Sequence, residues 1–311
     1  MFRLPRRFRA ISSFEAKTIE VLGLHTRYLS AGAGALPLVL LHGVGTSAGE
    51  WTWVLPALAR NNLVYAIDLP GYDGSVEPPD YTPAFTARFV SAFLAAVGVE
   101  HTVVVGNSFG GLAALHLALS EPERVFALVL ANSGGLDPAV NQMLLALTLF
   151  GWGELVPAWD RTPLGAAHKE FVGKLLAAWD RTPPGAAHRA FRRAWLLFAR
   201  PWQIPSQWLT GQYKVAQVPS FTETSRAALS DVVDLMGQRE VFLDQLPHLQ
   251  MPTLVVWGTE DKLFPYWQAI SAASRLKKGT LKLIPSCGHL PHVEQPERFV
   301  SILSEFVGGL R

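Results

Sequence analysis

The stretch Gly106-Asn107-Ser108-Phe109-Gly110 constrains the fold of this 311-residue chain more than any other, because of what flanks it. Residues 101–105 before it, His-Thr-Val-Val-Val, form a short β-branched run that reads as a buried strand. Residues 111–119 after it have the composition of a helix packed on a sheet. A bare Gly-x-Ser-x-Gly arises by chance in roughly one chain of this length in ten. The strand before and the helix after give it meaning. A serine between glycines at a strand-to-helix turn is a nucleophile elbow. The turn is tight enough that side chains at the flanking positions would collide with neighbouring elements, and the serine itself takes a strained backbone. The helix that follows aims its dipole and free N–H groups at the serine.

The rest of the chain offers partners for that hydroxyl. Residues 281–284 read as a strand followed by Ser286-Cys287-Gly288-His289, and residues 253–257 as a strand followed by Gly258-Thr259-Glu260-Asp261. Upstream, residues 37–41 read as a buried strand ending in His42-Gly43-Val44-Gly45, a loop able to turn a backbone N–H toward a substrate carbonyl.

With Leu41-His42-Gly43-Val44-Gly45, Asp68-Leu69-Pro70-Gly71, Gly106–Gly111, Gly258–Asp261 and Cys287-Gly288-His289 together, the chain resembles the α/β-hydrolase-fold serine hydrolases of the capped esterase and C–C hydrolase type. The order Ser, Asp, His is the one that fold carries. The resemblance runs from about residue 14 to the end. It implies a doubly wound, mostly parallel sheet with an inserted helical cap. It also implies Ser108 as nucleophile, His289 as base, Asp261 as acid, and the backbone N–H groups of Val44 and Phe109 as the oxyanion hole.

Each assignment has a rival. Glu260 adjoins Asp261, but the family's acid stands three residues after the glycine. His292 lies three residues past His289, leading into an expected helix over residues 294–307, where packing or surface is its expected role. By the same resemblance His42 shapes the oxyanion loop. His116, two turns into the helix after Ser108, reads as a packing histidine. Asp68 is expected to organise the loop after its strand through backbone hydrogen bonds. Asp73 departs from the family, where glycine is common.

Composition fits one α/β domain with a lid: 49% of residues are apolar and 17% charged, as for a sheet covered on both faces. No apolar run approaches the roughly 20 residues of a membrane span. Arg3, Arg6, Arg7 and Arg9 are followed by no apolar segment of a secretory signal. The single cysteine, Cys287, excludes an intrachain disulfide and fits a reducing compartment, so a cytoplasmic location is expected. Neither a metal nor a cofactor is expected, since ligand clusters and a Gly-x-Gly-x-x-Gly are lacking. A net charge of +2 gives no nucleic-acid footprint. The expected partner is a small-molecule ester or related carbonyl compound, and homo-oligomerisation stays open.

Strands and helices alternate up to residues 125–130 and again from Thr253, which divides the chain into a core of residues 1–135 and 249–311 and a helical cap of residues 136–248. Of the ten tryptophans, Trp152, Trp159, Trp179, Trp195, Trp202 and Trp208 lie in the cap. Some are expected to pack helices. Trp152, Trp159, Trp179 and Trp195 are the candidates for an apolar pocket over Ser108. The cap also repeats: residues 158–171 recur as residues 178–191 with eleven of fourteen positions identical. Thr162-Pro163 and Thr182-Pro183 each read as an N-cap followed by proline at the first helical position, so two short consecutive helices are expected.

Three functions fit. The first is a carboxylesterase acting on small to medium apolar acyl or aryl esters. The second is a hydrolase of meta-cleavage dienones, which Gly106–Gly111 and Asn132-Ser133-Gly134-Gly135-Leu136 resemble. Those enzymes often carry tryptophan after the histidine, where Leu290 stands here, and a cap arginine for the substrate carboxylate, for which Arg189, Arg192 and Arg193 are candidates. The third is a ligand-binding protein on the same fold. Epoxide hydrolases and haloalkane dehalogenases need an aspartate where Ser108 stands.

Overall fold

The computed structural model describes residues 14–72, 78, 80–141, 179, 182–216, 221–234 and 236–310. Its strands are β1 (Glu15–Val21), β2 (Leu24–Ala31), β3 (Leu38–Leu41), β4 (Val64–Ile67), β5 (Thr102–Asn107), β6 (Val125–Ala131), β7 (Val233–Asp234), β8 (Gly237–Gln238), β9 (Thr253–Gly258) and β10 (Gly279–Ile284). Numbered among the described residues, the helices are α1 (Leu55–Leu58), α2 (Pro83–Ala96), α3 (Phe109–Ser120), α4 (Pro183–Leu197), α5 (Ser206–Ala216), α6 (Phe221–Val232), α7 (Trp267–Arg275), α8 (Pro291–Glu294) and α9 (Pro296–Gly308). Eight strands form one sheet in the order β1-β2-β4-β3-β5-β6-β9-β10. The hairpin β1–β2 is antiparallel and β2 meets β4 antiparallel, while every pairing from β4 to β10 is parallel.

The parallel strands are apolar along their whole length because both faces are covered. Their alternation sorts side chains into two layers. Val39, Leu41, Val104, Val255 and Trp257 face one layer, packed by α2, α3 and α7. Leu38, Leu40, Val103, Val105, Leu254 and Val256 face the other, packed by α1 and α9. The chain runs outward from β3 to β4 in one direction and from β5 through β10 in the other. The switch falls between β3 and β5, and ligands of open α/β sheets bind beyond the carboxyl ends of the strands at such a point.

Helices α4, α5 and α6 lie in the segment between β6 and β9. Thr182 caps α4 by accepting the Gly185 N–H at 3.2 Å, with Pro183 in the first turn, as that dipeptide leads one to expect. The first copy of the repeat, Asp73 and the N-terminal arginines lie outside the described residues. The helix expected over residues 294–307 is α9, which begins two residues later at Pro296; Glu294 instead ends the short α8, because Pro296 cannot continue that hydrogen-bond ladder. Among the described residues no helix is long and apolar enough to cross a membrane.

Candidate active site

Ser108 stands between β5 and α3 with φ +54° and ψ −116°, a backbone state that costs a non-glycine residue about 1–3 kcal/mol. Neighbours hold it there. Its N–H donates to the Ala131 carbonyl at 3.2 Å, and its carbonyl accepts the N–H groups of Gly111, Leu112 and Gly134 at 3.0–3.1 Å. A Cβ at Gly106 would lie 2.3 Å from the Gly110 carbonyl oxygen, and one at Gly110 would lie 2.3 Å from that of Leu41. Both positions need glycine because main chain from another element occupies the space.

Beyond β10, His289 Nδ1 meets Asp261 Oδ2 at 2.8 Å, with both side chains buried. Asp261 Oδ1 accepts the N–H groups of Leu263 and Phe264 at 2.8 and 3.2 Å, and Oδ2 also accepts the Asn132 amide at 2.7 Å. Since these oxygens accept from every other neighbour, the His289 proton sits on Nδ1 and leaves Nε2 as an acceptor. Nε2 is buried and has no hydrogen-bond partner among the described residues. Glu260, the rival carboxylate, is exposed, and its N–H donates to the Cys287 carbonyl at 2.9 Å. Burial first, then the carboxylates of Glu294 and Asp261, push the Cys287 thiol far up, so it is an inert packing group.

After β3, the loop through Val44 is built by its neighbours. The His42 ring accepts the Leu69 N–H at Nε2 (3.0 Å), which fixes the proton on Nδ1, and this donates to the Gly43 carbonyl at 2.8 Å. Tyr72 accepts the Gly45 N–H, and Asp68 accepts the Ala48 N–H at 2.6 Å while pairing with Arg27 at 3.0 Å. The Asp68 side chain therefore ties the loop after β3 to β2. Phe109 opens α3, so its N–H is among the first four of a helix, which lack an intrahelical acceptor.

Ser108, Val44, Phe109 and His289 line one cavity of about 820 Å³, counting its open mouth. The wall is otherwise mostly apolar, from Leu112, Val140, Leu196, Leu229, Phe264 and Leu290, with Arg193 and Gln238 among the polar groups. Arg193 donates to the Val44 carbonyl at 3.2 Å, and its Nε is buried with no hydrogen-bond partner among the described residues. Burial lowers the Arg193 guanidinium from its usual range against the opposing pull of Glu50 and Tyr72. The carboxyl end of α4 is docked on both neighbouring loops. The His289 N–H donates to the Leu197 carbonyl at 2.7 Å, and Lys262 Nζ donates to the carbonyls of Trp195 and Phe198 at 2.9 and 2.8 Å. Glu294 accepts from Ala199 and Gly288.

Two of the four tryptophans expected at the pocket lie elsewhere. Trp179 and Trp195 are half-exposed and outside the cavity wall, Trp195 lying against Phe191 and Lys262. Its helix turns 100° per residue, so Leu196 and Leu197 face the cavity in its stead. Trp152 and Trp159 lie outside the described residues. Trp208 is buried against Phe198 and donates to Glu50 at 3.0 Å. His292 is also buried, stacked on Trp51 with ring centroids 4.1 Å apart, which is a packing role. His116 pairs with Glu240 and packs on Phe242. The sequence reading did not single out Glu50, Gln238 or Asn132 as individual site residues; the last was visible only as part of its glycine-rich run.

A left-handed serine at a strand–helix turn, set over a parallel sheet and sharing a cavity with a His–Asp pair, defines the class of α/β hydrolases. The chain belongs to that family, since its residues 37–296 match the alpha/beta hydrolase fold model. It is 29% identical over 301 residues to the 2-hydroxymuconate semialdehyde hydrolase of Pseudomonas sp. (strain CF600), covering 94% of this chain and 93% of the relative. It is 27% identical to the 2-hydroxy-6-oxo-6-(2'-aminophenyl)hexa-2,4-dienoic acid hydrolase of Metapseudomonas resinovorans, covering 95% and 92%. Among solved structures it resembles a serine hydrolase involved in carbazole degradation, at 27% identity and TM-score 0.71 over 96% of this chain and 100% of that one. A thermophilic esterase from Thermogutta terrifontis shares the fold, at 21% identity and TM-score 0.72 over 95% and 99%.

Proposed function

We propose that the chain is a serine hydrolase cleaving carboxylic esters of small to medium apolar acyl or aryl substrates through an acyl-enzyme. One observation carries the reading: the partnerless, buried Nε2 of His289, backed by Asp261, lines the same apolar cavity as Ser108. His289 takes the Ser108 proton as the oxygen attacks the ester carbonyl, and Asp261 holds the imidazolium. The N–H groups of Val44 and Phe109 receive the oxyanion, each worth about 2.7–4 kcal/mol in such sites. His289 then protonates the leaving alcohol, and finally draws a proton from the water that attacks the acyl-enzyme. In this reading residues 136–248 form a cap over the core, and α4 and α6 supply the cavity's roof through Leu196, Leu197 and Leu229.

A second reading, hydrolysis of a C–C bond in a dienone bearing a carboxylate, is favoured by Arg193, a cation with a partnerless Nε set in that wall. The two curated relatives are named as hydrolases of a hydroxymuconate semialdehyde and of a hexadienoic acid. Leu290 speaks for esters, because it lines the wall where dienone hydrolases often carry tryptophan.

The test is a series of p-nitrophenyl esters from acetate to palmitate beside a meta-cleavage dienone, with fluorophosphonate labelling. Ester turnover that Ser108→Ala abolishes together with labelling is the expected result. Preference for the dienone, with KM raised by Arg193→Met, would shift the assignment to the second reading. Labelling at another serine would refute both, and absence of all turnover would leave a ligand-binding protein.

A further inference from the structure

Asn132 follows β6 and is one of four non-glycine residues with positive φ among those described, at +45°. Its amide orientation is settled by its neighbours. The Gly258 N–H can only donate, so it faces Oδ1 at 3.3 Å, which turns the NH₂ toward Asp261 Oδ2 at 2.7 Å and the Gly288 carbonyl at 3.4 Å. The side chain is fully buried. It therefore touches the loops after both β9 and β10 and shares with His289 a single oxygen of Asp261, which His289 Nδ1 reaches at 2.8 Å.

We propose that Asn132 is a positioning residue for the acid–base pair, whose amide pins Asp261 Oδ2 and draws off part of the charge that oxygen presents to His289. Two donors on one carboxylate oxygen compete for its electron density. The amide tempers the hold of Asp261 on the imidazolium. Other charged or titratable groups around the pair are Glu260 and Lys262 after β9, Cys287 after β10, Glu294 on α8, Arg298 on α9 and Arg193 on α4. None of them bonds the shared oxygen.

The proposal rests on the triad reading but can fail separately from it. A residue kept only for its left-handed turn would be replaced by glycine without loss, because glycine adopts positive φ freely. Asn132→Gly keeps the turn and removes the amide. Asn132→Asp keeps the shape and the acceptor for Gly258, but sets a second carboxyl 2.7 Å from Asp261 Oδ2. The measurement is kcat/KM against pH on p-nitrophenyl butyrate, with the His289 Cε1–H titration followed by NMR. In Asn132→Gly the acidic limb and the imidazole titration should both move up by at least about 0.5 pH unit, with KM little changed, because a donor to the charged carboxylate has been lost. Asn132→Asp should move them less, because the proton that two such carboxyls share keeps a donor on Asp261 Oδ2. An unmoved limb and titration, whether or not activity falls, would overturn the proposal. NMR decides it even for a variant with no turnover. Ser108→Ala retaining turnover would instead refute the triad itself.

Discussion

Gly110→Ala tests whether the packing of the elbow sets the rate. The added methyl carbon would lie 2.3 Å from the Leu41 carbonyl oxygen, 2.6 Å from its carbon and 2.7 Å from the His42 carbonyl oxygen. All three are main-chain atoms at the end of β3, so no change of rotamer relieves the contact. The amino end of α3 and the end of β3 must part by about 1 Å to restore ordinary contact. That movement separates Phe109 from Val44, the two residues whose N–H groups are proposed to hold the oxyanion, and a misplacement of this size costs on the order of 10²-fold in rate. Overpacking of this kind also costs about 1–3 kcal/mol. A chain of this length has an unfolding entropy of roughly 0.65 kcal/mol/K, so Tm should fall by about 2–5 °C. Gly211→Ala is the control. It lies within α5 with nothing inside 4 Å, and should gain about 0.5–1 kcal/mol without touching kcat. Steady-state kinetics, phosphonate labelling rates and scanning calorimetry read all three effects. Wild-type kcat and Tm in Gly110→Ala would refute the reasoning, because the strand and helix would then have been free to separate without consequence.

Asp261→Asn should lower kcat by about 10⁴ while Glu260→Gln stays near wild type, since the asparagine favours the wrong imidazole tautomer. Steady-state kinetics on a p-nitrophenyl ester checks it, and the reverse order would make Glu260 the acid. Glu50 bears on acid stability. Burial alone would raise its carboxyl, but His292, Trp208 and Arg193 outweigh that and hold it below its ordinary 4.5. A depressed folded value means that the stabilisation is complete above pH 4.5 and is lost as pH falls through the lower folded value. Glu50→Gln should therefore flatten the fall of Tm below pH 4.5; an unchanged slope in calorimetry would show that the pair adds nothing there.

The parts of the site that were legible in sequence are those built locally. Ser108 sits between glycines that main chain forces, and His289 and Asp261 each follow a strand recognisable by its own apolar run. What was not legible depends on partners far along the chain. Trp208 and Glu50 are 158 residues apart, and nothing in the pattern around either signals the other. Trp195 looked like a pocket residue by type, yet the cavity took its neighbours, because the face a helix buries is decided by what it docks against. Asn132 is similar: only the return of β9 beside β6, with β10 beyond it, shows that its amide has work beyond a turn.

The docking of α4 on the loops after β9 and β10 bears on how such chains can be recombined. A chimera that imports the inserted helices from a relative would most naturally be cut where the core resumes, near Thr253. That cut replaces the Leu197 carbonyl that receives the His289 N–H and the Phe198 carbonyl that receives Lys262. The imported segment would then have to supply both acceptors, in register, to the loops that carry His289 and Lys262. A junction placed in residues 142–178 leaves α4 with its native loops, so specificity grafts should be exchanged there.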